Sequence, residues 1–200
     1  MKEVVHMTEK EKMQKGMWYD ANYDKELLAE RLEAEDLCYE FNQTRPKEVE
    51  KREAVLAKLL PNKAKDVSIL APFYADYGKN CIIGEGTFIN HGAYLMDCAP
   101  IKIGKHCFIG PNCGMYTATH AFVAEQRNMG LEKANPITLE DNVWLGGDVT
   151  ILPGVTIGEG SIIGAKSLVN KDIPPNVIAV GNPCKIIRKI TEEDRIDLKK

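Results

Sequence analysis

The chain has 200 residues, of which 44% are hydrophobic and 28% are charged, and its 26 Lys plus Arg against 29 Asp plus Glu give a formal net charge of −3. This is ordinary globular composition, and it excludes disordered, collagen-like and small disulfide-rich chains. The slightly acidic balance argues against nucleic acid as a partner, because phosphate backbones select basic surfaces. No apolar run approaches the roughly 20 residues of a membrane span, so we predict a cytoplasmic protein without a membrane partner.

Six cysteines are spread along the chain without a CxxC pair. They are Cys38, Cys81, Cys98, Cys107, Cys113 and Cys184. This spacing favours reduced, packed thiols over disulfides or a zinc site, and no metal is expected. Residues 1–6 precede a second methionine and are interpreted as a variable tail.

Residues 1–61 are predicted to form an N-terminal helical segment, because glycine is rare there and Leu, Glu, Lys and Arg dominate. Thr8 and Glu11 fit a capping box at the start of a first helix. Apolar spacing predicts two further helices, over about 24–42 and 46–60. Each has a single apolar stripe, so both must pack against a larger body.

Residues 62–175 contain a six-residue repeat. The units are IGEGTF, INHGAY, IGKHCF and IGPNCG from Ile83, and LEDNVW, LGGDVT, ILPGVT, IGEGSI and IGAKSL from Leu139. Their first position is aliphatic, and their fifth is small or β-branched. If each hexad makes one strand and one corner, three hexads close a triangular coil, and successive coils lie about 4.8 Å apart. We therefore predict a mainly β fold, a parallel β-helix whose first and fifth positions point inward and whose second-position glycines give the corner its backbone freedom.

Two irregularities interrupt this period. Eight residues instead of six separate Leu95 from Ile103, and about residues 121–136 follow no hexad. The longer one is predicted to be an extruded loop, and loops on a rigid coil are where sites are usually built. Residues 176–200 are predicted to be a short tail that packs on the coil.

Specific segments of the chain resemble the maltose and galactoside O-acetyltransferases, a family of hexapeptide-repeat acyltransferases. These segments are YEFNQTRPKEVEKRE (39–53), PFYADYG (72–78), YTATH (116–120), PITLEDNVWLGG (136–147) and VNKDIPPNVIAVGNPCKIIRKI (169–190). The resemblance implies a left-handed β-helix and a homotrimer with each active site between two coils. It also implies acetyl-CoA as cosubstrate and direct transfer of its acetyl group to a hydroxyl of a sugar or sugar-like acceptor.

Histidine is the first candidate for a general base, because imidazole accepts a proton near neutral pH. His91 and His106 occupy outward-facing hexad positions, whereas His120 ends the first run of hexads at the mouth of the loop. Through YTATH, the resemblance places the catalytic histidine of the family at His120. Glu132, in the loop, is a candidate for orienting the His120 ring through its other nitrogen.

The resemblance also implies a coenzyme site. Trp144 is expected to line the pantetheine groove, with packing at a coil corner as an equal alternative, and the Gly147 N–H is expected to contact the acetyl end. The backbone of Ala165 matches a position that bonds the pantetheine. The matches to the nucleotide end are Asn170, Lys171, Lys185 and Arg188. Lys and Arg suit phosphate as cationic donors.

On the acceptor side, the resemblance implies that four polar residues bind the sugar. They are Asp76, Asn90, Asp97 and Asp20. Cys98 stands where some galactoside-type relatives carry a second carboxylate, and Ala121 stands where many relatives carry proline. Because of these two departures, the resemblance determines neither the identity of the acceptor nor the path of the loop.

Three other classes remain as alternatives. A zinc-dependent carbonic anhydrase of the same coil type would need a second histidine five residues before His120, and that position is Met115. A xenobiotic, streptogramin-type O-acetyltransferase would keep His120 but lack the helical segment. A non-catalytic scaffold or binding protein would need neither His120 nor a basic coenzyme groove.

Overall fold

The structure is a computed structural model that describes residues 7–198, so the variable tail predicted at residues 1–6 lies outside the described residues. The helices of this part are α1 (Glu9–Gln14), α2 (Lys25–Gln43), α3 (Val49–Leu59) and α4 (Ala124–Asn128), with a 3-10 turn at Glu192–Asp194. The strands are β1 (Tyr19–Asp20), β2 (Ser68–Ile69), β3 (Phe73–Ala75), β4 (Cys81–Ile83), β5 (Phe88–Ile89), β6 (Ala93–Met96), β7 (Ile101–Ile103), β8 (Phe108–Ile109), β9 (Gly114–Tyr116), β10 (Ala118–His120), β11 (Leu131–Ala134), β12 (Ile137–Leu139), β13 (Trp144–Leu145), β14 (Thr150–Ile151), β15 (Thr156–Ile157), β16 (Ile162–Ile163), β17 (Leu168–Val169), β18 (Val177–Val180) and β19 (Lys185–Lys189).

Three parallel sheets form the faces of a triangular coil. Face 1 consists of β4, β7, β12 and β15, face 2 of β2, β5, β8, β13, β16 and β18, and face 3 of β3, β6, β9, β14 and β17. Where the repeat is regular, paired strands lie three hexads apart, as at Trp144 beside Ile162. Strand β19 pairs antiparallel with β18 and ends face 2. The predicted parallel β-helix is confirmed.

The interior of the coil is filled by the two hexad positions that the sequence predicts. First-position residues such as Leu145 and Ile163 are buried, and so are fifth-position residues such as Val149 and Ser167. The hydroxyl of Ser167 donates to the Gly164 carbonyl at 2.6 Å, which satisfies a polar group that would otherwise be costly to bury.

The corners differ from the prediction. Left-handed backbone occurs at the fourth hexad position, as at Gly86 (φ +68°) and Asn112 (φ +58°), and not at the second. A Cβ on the second-position Gly110 would lie 2.5 Å from the carbonyl carbon of Gly146 in the next coil. The role predicted for second-position glycine is therefore wrong: it permits close stacking of coils rather than freedom at the corner.

The helical segment follows its sequence signals. Thr8 and Glu11 form the predicted capping box, with bonds of 3.1 and 2.8 Å. The two further predicted helices are present as α2 and α3, although α3 begins three residues later than expected because the Glu48 N–H turns back to the Arg45 carbonyl at 2.9 Å. None of the helices within residues 7–198 has the length and apolar character needed to cross a membrane.

The eight-residue irregularity packs against the first part of the helical segment. Its extra residues leave the coil between β6 and β7, where Cys98 and Ala99 are buried in a second apolar cluster. That cluster includes Met13, Tyr19 and Leu27 of the helical segment. The irregularity therefore holds α1, β1 and the start of α2, whereas the rest of α2 and α3 packs on the core of the coil itself through residues such as Phe41 and Leu56.

The predicted loop is more ordered than its sequence indicates. It contains α4 and β11, and β11 pairs antiparallel with β10 on one side and with β1 on the other. We call β1, β10 and β11 the hairpin sheet. It joins the helical segment to the end of the first run of hexads.

Candidate functional site

The hairpin sheet brings together three side chains that lie far apart in the sequence. His120 at the end of β10 pairs with Glu132 of β11, and Glu132 pairs with Tyr19 of β1. Directly opposed residues in antiparallel strands have Cβ atoms roughly 5 Å apart. Backbone pairing therefore places an imidazole, a carboxylate and a phenol in a row.

Both ring nitrogens of His120 have a defined neighbour. Nδ1 lies 3.3 Å from the Leu131 carbonyl oxygen, and because a carbonyl only accepts, this bond requires the proton on Nδ1. Nε2 then carries the lone pair, and it lies 3.8 Å from Oε2 of Glu132. The His120 side chain is 47% exposed, so a substrate can reach this nitrogen.

The position of Glu132 differs from the expected one. It was expected to orient the ring through the nitrogen that does not act as base, but the Leu131 carbonyl holds that nitrogen. Glu132 lies beside Nε2 instead, where its charge stabilises the imidazolium that forms once Nε2 has taken a proton. Its other oxygen, Oε1, accepts a hydrogen bond from the Tyr19 hydroxyl.

A cleft of about 830 Å³ opens between α2 and the start of face 3. Its lining mixes amide, charged and phenolic side chains, including Asn22, Arg31, Asn42, Tyr74, Asp76 and Tyr94. Asp76 accepts a hydrogen bond from the Tyr94 hydroxyl. Such a lining suits a small polar ligand that presents hydroxyl groups.

Cys98 connects this cleft to the histidine. Its thiol donates to Oδ2 of Asp76 at 3.6 Å. Burial, followed by the charges of Glu132 and Asp76, raises the pKa of Cys98 well above its usual range. The thiol therefore remains a protonated donor between the two carboxylates and is not a nucleophile.

Two of the expected acceptor residues have other partners within the chain. Asp97 is 0% exposed, and its oxygens accept from the backbone N–H groups of Tyr77 at 2.8 Å and Asn80 at 3.2 Å. The Asp20 carboxylate accepts from the Asn22 N–H at 3.1 Å. Asp97 thus holds a turn beneath the site, and Asp20 shapes the turn that presents Asn22 to the cleft.

The remaining expected residues lie at a different corner of the coil. Asn90, Gly147 and Ala165 follow strands of face 2, whereas Asp76 and His120 follow strands of face 3. Within residues 7–198, neither Gly147 nor Ala165 donates a backbone hydrogen bond. One chain therefore brings His120 together with Asp76 and Glu132, but not with the corner formed by Gly147 and Ala165.

Trp144 lies on the outer surface of face 2, between Phe108 and Ile162. Its side chain is 52% exposed. The alternative expectation, packing at a coil corner, is not met, because Trp144 is part of an apolar strip on a flat face.

The residues expected at the nucleotide end of the coenzyme are all exposed. They are Asn170, Lys171, Lys185 and Arg188. Arg188 forms a bidentate pair with Asp194 at 2.6 and 2.7 Å, and this guanidinium lowers the pKa of Asp194 to about 2. A phosphate at Arg188 has to compete with this carboxylate. No group of three metal-ligating side chains occurs within the described part of the chain.

Tyr19 and Tyr94 are among the site residues that the sequence did not indicate, together with Arg31, Asn42 and Tyr74 of the cleft. The Tyr19 bond joins residues 113 positions apart, and a two-residue strand such as β1 leaves no periodic signal. The only indication was the position of Tyr19 beside Asp20, a residue already singled out.

Comparison with known families gives three matches. The maltose acetyltransferase hexapeptide capping motif matches residues 12–63, and the bacterial transferase hexapeptide, as six repeats, matches residues 136–171. A hexapeptide repeat of succinyl-transferase matches residues 100–118. The first match lies in the helical segment and the other two in the coil.

Individual relatives are similar over nearly the whole chain. A Staphylococcus aureus protein that bears an acetyltransferase designation is 53% identical over 187 residues, 94% of each chain. The crystal structure of a maltose O-acetyltransferase from Clostridium difficile is 46% identical with a TM-score of 0.90, covering 93% of this chain and 99% of that one. A galactoside acetyltransferase in complex with coenzyme A is 37% identical with a TM-score of 0.89, covering 94% of each chain. The coil is therefore the left-handed hexapeptide-repeat β-helix that the family resemblance implied.

Proposed function

The chain belongs to the family of hexapeptide-repeat acetyltransferases that includes maltose and galactoside enzymes, and from this premise we propose that it transfers an acetyl group from acetyl-CoA to a hydroxyl of a sugar or sugar-like acceptor. The main support for the proposal is the surroundings of the two ring nitrogens of His120. Its Nδ1 is bound to a carbonyl, its Nε2 is accessible, and a carboxylate lies 3.8 Å from Nε2. This is the arrangement of a neutral base whose protonated form is stabilised.

In the proposed reaction, Nε2 of His120 removes the proton of the acceptor hydroxyl as its oxygen bonds to the thioester carbonyl carbon. The carbon–sulfur bond then breaks, and the departing thiolate takes the proton back from the imidazolium, so that CoA leaves as a thiol. Glu132 offsets the positive charge that the ring carries between these two transfers. The N–H of Gly147, which donates to no group within residues 7–198, is the proposed donor to the carbonyl oxygen.

The coenzyme is proposed to lie along the corner between faces 2 and 3. The Ala165 backbone and the exposed Trp144 ring would contact the pantetheine arm, and the exposed polar residues near the end of the coil would contact the nucleotide. Those residues are Asn170, Lys171, Lys185 and Arg188. The galactoside enzyme bound to coenzyme A supports this choice of donor.

The proposed assembly is a homotrimer in which the corner of one subunit meets the hairpin sheet of the next. Support comes from the placement of His120 and Gly147 at different corners of one chain. Three chains of 22.3 kDa would give a mass of about 67 kDa by light scattering. Within that assembly, Asp76 of one subunit and Asn90 of another are the proposed contacts to the acceptor. The cytoplasmic location and the absence of a nucleic-acid partner stay predictions.

The test is release of CoA thiol from acetyl-CoA against a panel of sugars, thiogalactosides and hydroxylated antibiotics. His120→Ala is expected to lower turnover by at least roughly a hundredfold, because a general base is lost. His106→Asn is the matched control, since His106 lies on the outer surface with left-handed backbone (φ +53°) that asparagine tolerates.

Other outcomes would favour the alternatives. Retained turnover in His120→Ala would remove this residue from its role. Preference for hydroxylated antibiotics over every sugar would favour the xenobiotic class, against which the match to the capping motif at residues 12–63 argues. Failure of the wild type to bind CoA would favour a scaffold.

A further inference from the structure

Tyr19 is buried at the junction between the helical segment and the coil. It is 0% exposed and belongs to the apolar cluster that contains Met13, Tyr77 and Cys98. A tyrosine in such a place normally finds a partner for its hydroxyl. Here the partner is Glu132, which is itself 6% exposed.

The two oxygens of Glu132 have separate tasks. Oε1 accepts from Tyr19, and Oε2 faces Nε2 of His120 at 3.8 Å. Cys98 is a neighbouring donor: its thiol donates to Oδ2 of Asp76 at 3.6 Å and lies close enough to Glu132 for that carboxylate to raise the pKa of Cys98. Without the phenol, the carboxylate could rotate towards the thiol, and the distance from Oε2 to the histidine would no longer be fixed.

Tyr19 is also a constant donor. Burial, followed by the neighbouring Cys98 and Glu132, raises the pKa of Tyr19 well above its usual range. Its hydroxyl is therefore protonated at any pH at which the enzyme would work.

We propose that Tyr19 is a positioning residue for acetyl transfer, contributed by the helical segment, which acts on His120 by holding Glu132. Tyr19 is fully buried and its hydroxyl donates to Glu132, so its effect on the reaction passes through Glu132. This inference rests on the proposed function for its kinetic consequence, but the contact from Tyr19 through Glu132 to His120 can be tested without turnover.

The chain offers a matched control in the same cluster. Within residues 7–198 the buried Tyr77 hydroxyl has no hydrogen-bond partner. Tyr77→Phe thus removes the same atom from the same apolar surroundings as Tyr19→Phe, without removing a bond to Glu132.

The first measurement is the imidazole carbon–proton NMR spectrum, with the His120 signal assigned by its loss in His120→Ala. The His120 signal is expected to shift in Tyr19→Phe and in Glu132→Gln, and to stay in place in Tyr77→Phe. An unmoved signal in Tyr19→Phe, or an equal shift in Tyr77→Phe, would overturn the proposal. This result stands even if wild-type protein acetylates nothing in the panel, an outcome that would count against the proposed function alone.

The second measurement is a double-mutant cycle on kcat. Tyr19→Phe is expected to lower kcat about tenfold, as the loss of a hydrogen bond to a charged group does, with KM for acetyl-CoA unchanged. The double variant Tyr19→Phe/Glu132→Gln is expected to be no slower than Glu132→Gln alone. Effects that multiply instead would mean that Tyr19 acts through general stability, and the proposal would fail.

Discussion

Asp76 and Asp97 lie at the same edge of the coil, but their carboxylates have different surroundings. Asp76 lines the cleft and accepts from the Tyr94 hydroxyl. Asp97 is fully buried and accepts from two backbone N–H groups. Only Asp76 has a face that an acceptor could touch.

Asp97→Ala and Asp76→Ala should have different effects, the first mainly on protein stability and the second mainly on acceptor binding. Asp97→Ala leaves the buried N–H of Tyr77 and the partly buried N–H of Asn80 without acceptors, and a fully buried group left in this way costs about 1–3 kcal/mol. We expect the free energy of unfolding to fall by about 2 kcal/mol or more. Asp76→Ala is expected to raise KM for the acceptor with a smaller loss of stability.

The measurements are urea denaturation and acceptor KM for both variants. A soluble, stable Asp97→Ala protein with a raised acceptor KM would restore Asp97 as a direct ligand. It would also show that the buried turn tolerates the loss of the carboxylate.

Single residues were predicted from the sequence either by their position in the repeat or by a segment that resembles the family. His120 ends a run of hexads and closes the YTATH segment, and these two features distinguish it from His91 and His106. The Leu131 carbonyl that sets its tautomer and the Tyr19 hydroxyl that holds Glu132 could not be predicted. Both contacts depend on antiparallel pairing between segments that have no periodic relation.

At the scale of elements, the coil depends on how closely successive turns approach. A Cβ on Gly146 would lie 2.6 Å from the backbone nitrogen of Ala165, whereas a Cβ on the adjacent Gly147 would meet nothing nearer than Pro111 at 3.4 Å. Neither glycine has positive φ. Gly146 and Gly147 therefore differ in the room available for a Cβ atom and not in backbone strain.

Gly146→Ala is expected to destabilise the protein by about 1–3 kcal/mol, the usual cost of overpacking. Gly147→Ala is expected to change stability by less than about 0.5 kcal/mol. Chemical denaturation of both variants measures the difference. Equal stabilities would contradict the stacking role that the structure gives to second-position glycine.

The elements themselves were largely predictable, for a physical reason. A hexad is a local unit, so aliphatic first positions and small fifth positions reveal the strand, the corner and the interior together. The hairpin sheet was not predictable in this way. Its pairing joins β1 to β11 across most of the chain, and within the sequence this region looks like an irregular loop.

At the scale of the molecule, the proposed site is divided between two corners of the coil. His120 and Glu132 lie at the edge that follows face 3, and Gly147 and Ala165 lie at the corner that follows face 2. A complete site then needs two subunits.

Two variants that each lose one half of the site should restore activity when mixed. His120→Ala removes the base, and Ala165→Trp fills the coenzyme corner at a position that is exposed and therefore tolerates a large side chain. Each is expected to be inactive alone. A complete site needs the Ala165→Trp subunit to supply His120 and the neighbouring His120→Ala subunit to supply Ala165. In randomly mixed trimers each of these has a probability of about one half, so about one quarter of the sites are complete. An equal mixture, unfolded and refolded together, should therefore recover about a quarter of wild-type turnover, measured as CoA thiol release.

The control is to refold the two variants separately and mix them afterwards. This mixture should stay inactive until subunits exchange between trimers. If co-refolded mixtures that light scattering shows to be trimeric remain inactive, the base and the coenzyme corner belong to the same chain, and the arrangement proposed for the site would have to be abandoned.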